Sequence, residues 1–85
     1  MPRSQFTDAY RGLLALLVEA REAAGLTQVE LALALRKPQA FVSKVERGVR
    51  RIDIIEFCVI ARAIGIDPVE LLRRVLPSIP KRLEI

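Results

Sequence analysis

Gln39, Ala40, Ser43, Lys44 and Arg47 are the residues of this 85-residue chain whose types and spacing best fit a chemical task. On a helix turning about 100° per residue they fall on one arc, opposite Val42 and Val45. A glutamine amide can pair bidentately with adenine N6 and N7, and a lysine can reach guanine O6 and N7 or a phosphate. An alanine can touch a thymine methyl, and a serine hydroxyl can serve base or backbone. Gln39, Ala40, Ser43 and Lys44 are therefore candidate base-reading residues. Arg36, Lys37, Lys44, Arg47, Arg50 and Arg51 crowd the same stretch, with Glu46 the only acid among them. A charge run alone is usually a solvated surface. Here it coincides with the polar arc, and elsewhere acids nearly balance bases.

The elements needed to position that arc can be read around it. Thr27-Gln28-Val29-Glu30-Leu31-Ala32 reads as the start of a short capped helix. A tight turn follows, then a second short helix ending on Gly48. This is the layout of a helix-turn-helix, which places one helix in the major groove of DNA. Three helix starts repeat one signature: Thr27 with Glu30, Asp53 with Glu56, and Asp67 with Glu70. Each pair can satisfy two orphan backbone amides reciprocally. Leu26 with Leu31, Ile52 with Phe57 and Ile66 with Leu71 fit hydrophobic staples beside them. Pro68 suits a first helical position. Gly25, Gly48 and Gly65 fall just past the last turns of helices. Thr7 before Asp8 fits the cap of the first helix.

These signals predict about five helices, over 8–24, 27–35, 38–47, 53–64 and 67–75. No segment alternates at period two, so no sheet is expected. The predicted fold is all-α, a compact five-helix bundle. Residues 1–7 are expected to form a flexible N-terminal segment, 8–76 the helix-turn-helix domain, and 77–85 an extended or irregular tail interrupted by Pro77 and Pro80. Apolar spacing assigns the core to Tyr10, Leu13, Leu14, Leu17 and Ala24, to Leu31, Ala32 and Leu35, and to Val42 and Val45. Phe57, Ile60, Ala61 and Ile64 continue it, with Leu71, Leu72 and Val75 from the last helix.

Composition narrows the function further. The apolar fraction of 52% can build one modest core. Cys58 stands alone and there is no histidine, so neither an internal disulfide nor a zinc site is expected. Cys58 reads as a small core hydrophobe. No segment approaches the roughly 20 apolar residues of a membrane span. The N-terminal residues lack the regions of a secretion signal, so a cytoplasmic location is expected. No cofactor is expected. With no phosphate-binding glycine loop and no nucleophile–base pair, neither is an enzyme.

The segment from about Tyr10 to Leu72 resembles the phage-repressor-like (Xre or Cro-type) helix-turn-helix family. The matching residues are Arg21, Gly25-Leu26-Thr27-Gln28, Glu30-Leu31-Ala32, Gln39, and Val42 through Gly48. Ile60-Ala61, Ile64-Gly65 and Leu71-Leu72 extend the match. The resemblance implies a lambda-repressor-like five-helix domain and a dimeric, sequence-specific regulator of transcription acting on palindromic operators. It implies a phosphate-clamping role for Gln28 and a structural ion pair between Arg21 and Glu46. Lys37, Arg47, Arg50 and Arg51 are expected to add contacts to the DNA backbone, which position without specifying. Arg36 departs from the pattern, standing where many members have the glycine of the turn. A left-handed arginine costs roughly 1 kcal/mol, which argues for a different turn shape. Lys37-Pro38 replaces the usual serine or threonine cap of the next helix.

Leu16, Val18, Leu33, Ile55 and Val59 lie off the core stripes, and Ile55 with Val59 suggests a protein-facing patch. Two functions follow: a DNA-binding regulator, expected to be a homodimeric repressor, or an adaptor of the same fold such as a toxin-neutralising partner or coactivator. For the dimer contact, Val75, Leu76 and Ile79 near the C-terminus are the apolar candidates.

Overall fold

The first four N–H and last four C=O groups of any helix find no partner within it, and this chain answers that problem mainly with local side chains and glycines. The computed structural model describes residues 2–82. Among these are five α-helices: α1 (Pro2–Ala23), α2 (Gln28–Leu35), α3 (Gln39–Glu46), α4 (Ile54–Ile64) and α5 (Pro68–Val75). One turn of 3-10 helix, Leu76–Ser78, follows, and the described residues contain no strand. The fold is all-α.

Two of the three expected capping boxes form. At α2, Thr27 Oγ1 accepts from the Glu30 amide at 3.1 Å, and the Glu30 carboxylate accepts from the Thr27 amide at 2.8 Å. At α4, Asp53 and Glu56 exchange the same bonds at 2.8 and 3.0 Å. The third box does not form. Asp67 accepts instead from the Val69 amide at 2.9 Å, and Glu70 leans toward Arg74 at 4.0 Å. Asp67 has ψ 124°, whereas Thr27 and Asp53 have ψ 167° and 178°. That difference, beside Pro68, turns its carboxylate to the earlier amide.

Gly25, Gly48 and Gly65 all adopt left-handed conformations. Gly48 is needed twice over: its φ is +77°, and a Cβ there would come within 3.3 Å of Leu14 Cδ1. The first helix corrects the sequence reading. It begins at Pro2, not at residue 8, so Thr7 caps nothing and the expected segment 1–7 is helical from Pro2 onward. Proline suits a first helical turn, and nothing between Arg3 and Asp8 breaks a helix. The tail continues as the 3-10 turn before becoming extended at Ile79. Residues 83–85 of the expected tail lie outside the described residues.

The helices enclose one core. α2 packs on α3 and α4, α1 on α3, α4 and α5, and α4 on α5. Leu14, Leu17, Leu31, Ala32, Val42, Val45, Phe57, Ile60, Ala61, Ile64 and Leu71 are buried at its centre. Five assignments shift, Leu35 among them. Tyr10 and Leu13 are only half-buried, while Ala9 and Ala20 are buried on α1. Ala24 is exposed because α1 has already ended. Leu72 is 37% exposed because Leu71 and Val75, one turn apart, own the buried stripe of α5. Leu35 and Cys58 pack half-buried against the core.

Candidate nucleic-acid interface

The turn between α2 and α3 keeps the left-handed shape despite lacking glycine. Arg36 has φ 56° and ψ 45°. Two bonds hold it there: the Arg36 amide donates to Leu33 O at 3.1 Å and the Lys37 amide to Ala32 O at 2.9 Å. This pairing satisfies the last carbonyls of α2 and offsets the strain. Pro38 then fixes the entry to α3, with φ −67° and no side-chain cap.

Burial divides α3 into two faces, with Phe41, Ser43 and Glu46 half-buried. Val42 and Val45 are buried, and Gln39, Ala40, Lys44 and Arg47 are exposed. Ser43 is half-buried on the shoulder, where its Oγ accepts from Arg47 Nε at 3.1 Å. The predicted reading residues therefore share an exposed face, with Ser43 at its edge.

A chain of hydrogen bonds anchors this face to the interior. Arg21 is 8% exposed and grips Glu46 through two parallel bonds, Nε to Oε2 at 2.7 Å and Nη2 to Oε1 at 3.1 Å. Its Nη1 donates to Leu26 O at 2.7 Å. The Glu46 bonds hold the Arg21 guanidinium protonated above its ordinary value, against the opposing effect of burial. Gln28 Nε2 donates to Glu46 Oε1 at 2.9 Å, and Gln39 Nε2 donates to Gln28 Oε1 at 3.4 Å. With its nitrogen turned to Glu46, the Gln28 amide leaves its oxygen to accept from Gln39. The Arg21–Glu46 pair followed from the resemblance; its extension through Gln28 to Gln39 did not. No buried side-chain nitrogen or oxygen among the described residues lacks a partner.

The remaining basic residues are placed less uniformly than expected. Lys37 and Arg47 are exposed beside α3. Arg51 is exposed with its guanidinium 4.1 Å from the Tyr10 ring centroid. Arg50 pairs with Glu56 through bonds of 2.7 and 3.2 Å, donates to Arg51 O at 2.9 Å, and lies 4.8 Å from the Phe41 centroid. Arg50 holds Glu56 below the ordinary carboxylate value, helped by the Asp53 amide. Phe41 falls between the polar arc and the buried stripe of α3. It is half-buried, with Lys37 Nζ 5.5 Å from its centroid. The Arg50–Glu56 pair had no signal in the sequence beyond the capping role of Glu56.

Away from α3, Leu33, Ile55 and Val59 are exposed at 72%, 68% and 51%. Ile55 and Val59 line a groove with Leu35, Phe41 and Ile60. Leu16 packs half-buried against the core and Val18 is half-buried. A second groove joins Tyr10, Leu13, Ile54, Phe57, Leu72 and Ile79. Val75, expected as a dimer candidate, is only 3% exposed and belongs to the molecule's own core. No described helix is long and apolar enough to cross a membrane.

A capped α2, a tight left-handed turn and an α3 with one polar, cationic face define a helix-turn-helix domain. Comparison with known proteins agrees. The helix-turn-helix family model matches residues 17–71. The chain is similar to a solved XRE-family-like protein from Pseudomonas syringae pv. tomato str. DC3000, with 49% identity and a TM-score of 0.85. That match covers 92% of this chain and 95% of the other. No curated protein matches the chain. The chain belongs to the XRE-type helix-turn-helix family, a class of DNA-binding transcription regulators.

Proposed function

We propose that the chain recognises a specific duplex sequence by laying α3 in the major groove, and acts as a homodimeric repressor on a palindromic operator. The observation that carries this reading is the division of α3. Its buried face holds Val42 and Val45, and its exposed face offers an amide, a methyl and an ammonium at Gln39, Ala40 and Lys44. Such a face is well matched to base edges. Gln39 would read adenine, with Ser43 adding a hydroxyl beside it. Lys37 and Arg47 lie beside this face and, with Gln28 and Arg51, would grip the phosphates, fixing register. One such helix reads only a few base pairs, and a second copy across a twofold axis would supply the other half-site. Occupancy of that site would exclude other proteins from it, the simplest route to repression.

Selection from random duplex DNA tests the reading. It predicts an enriched palindrome, with half-sites about 34–36 Å apart or a multiple of that. A second reading, partner binding by an adaptor of this fold, is favoured by the exposure of Ile55 and Val59 beside Phe41. Failure to enrich any sequence would favour it.

A further inference from the structure

Arg50 stands beside the recognition helix, yet its charge and its hydrogen-bonding fork are already engaged. Both terminal nitrogens bond Glu56, one of them also bonds Arg51 O, and the guanidinium lies against Phe41. These contacts link three pieces of the structure. Phe41 belongs to the first turn of α3, Arg51 to the loop after it, and Glu56 to the first turn of α4. α3 packs chiefly on α2 and α1, and at its N-terminal turn these links add to the apolar contact of Phe41 along the groove it lines with Ile55, Val59 and Ile60 of α4. Glu56 is itself fixed by the Asp53 capping box, which gives Arg50 a rigid anchor. A bidentate arginine–carboxylate pair has a defined geometry, and the aromatic face adds a cation–π contact.

We propose that Arg50 is a positioning residue, a brace between α3 and α4, and not a phosphate anchor. This rests on the DNA-binding reading above and divides the basic cluster. Arg47 and Lys37 meet the polyanion, while Arg50 sets the angle at which α3 is presented.

Salt dependence separates the two roles. A phosphate contact releases a counterion and contributes about 0.9 to the slope of log K against log salt. Lysine replaces arginine as a point charge on phosphate, but not as a planar fork stacked on a ring. Duplex binding should therefore be titrated across salt for the intact protein and for Arg50→Ala, Arg50→Lys and Arg47→Ala. The brace predicts that both Arg50 variants weaken binding alike, by a few-fold and at most about tenfold, with the slope unchanged. Arg47→Ala should flatten the slope by about 0.9. A slope flattened by Arg50→Ala and restored by Arg50→Lys would overturn the brace, as would undiminished affinity in either variant. Hydrogen exchange in the free protein gives a readout independent of DNA. Both Arg50 variants should speed exchange at the amides of residues 41–43, and unchanged exchange there would also overturn the brace. Absence of salt-dependent duplex binding by the intact protein would instead defeat the DNA-binding reading.

Discussion

A nearly buried arginine is tolerated here because each of its three guanidinium nitrogens has an acceptor. Arg21 meets both Glu46 oxygens and Leu26 O, and the paired side chains are each 10% exposed. Breaking one side of such a pair leaves the other charge stranded. Glu46→Gln should cost about 3 kcal/mol, near the low end for buried pairs because some solvent still reaches this one. Denaturant titration would measure it, and a loss under about 1 kcal/mol would show that water already screens the pair. Arg36 shows the opposite economy. Its left-handed backbone is strained, and Arg36→Gly relieves that strain. The gain should approach about 1 kcal/mol, trimmed by the greater unfolded freedom of glycine. An unchanged midpoint in the same titration would mean that arginine costs this turn no more than glycine does. A family pattern could mark Arg36 as unusual, but not that the two turn hydrogen bonds would hold it in place.

The helices were legible in the sequence where one residue's local chemistry decides the outcome. Thr27 and Asp53 cap, Gly25, Gly48 and Gly65 stop, and each acts within a few residues of itself. Asp67–Glu70 carries the same letters but fails as a box, because Asp67 enters α5 at a different ψ. The start of α1 was missed because Thr7 resembles a cap and nothing local forbids the helix from continuing back to Pro2. Arg50 with Glu56 was invisible for another reason: only the path of the folded loop brings them together. The capping carboxylates also set an acid response. Arg50 first and then the Asp53 amide lower Glu56, and the Thr27 amide lowers Glu30, from the ordinary value of 4.5. The unfolded chain binds these protons more readily, so the contribution to stability is complete above that value. It is lost as pH falls through the lowered folded values. A Glu30→Gln, Glu56→Gln double variant should keep its caps and show a shallower fall in melting temperature below about pH 4.5. An equal fall in both proteins would assign the acid response to other carboxylates.

At the scale of the whole molecule, the face of α3 proposed to read DNA and the exposed apolar residues near the C-terminus lie on different elements. α3 offers the polar arc, while Leu72, Leu76 and Ile79 are exposed on α5 and the turn after it, at 37%, 54% and 38%. That turn sits close to α1, since a Cβ on Gly12 would meet Ser78 Oγ at 3.2 Å. The apolar surface around Leu76 and Ile79 is the proposed contact between two copies. Leu76→Asp and Ile79→Asp should each weaken self-association, because the contact would have to desolvate a carboxylate. Sedimentation at micromolar concentration would check this. A dimer unchanged by both substitutions would move the contact elsewhere, and a monomeric unsubstituted chain would exclude a preformed dimer. The central claim nevertheless rests on α3, and base preference tests it most directly. Random duplex DNA should be selected in parallel with the intact protein and with Gln39→Ala. The intact protein should enrich an adenine at a fixed place in each half-site. Gln39→Ala should lose discrimination at that place alone, by roughly 1–3 kcal/mol, with the rest of the site preserved. An identical preference from both proteins would contradict the claim that this face of α3 reads the bases.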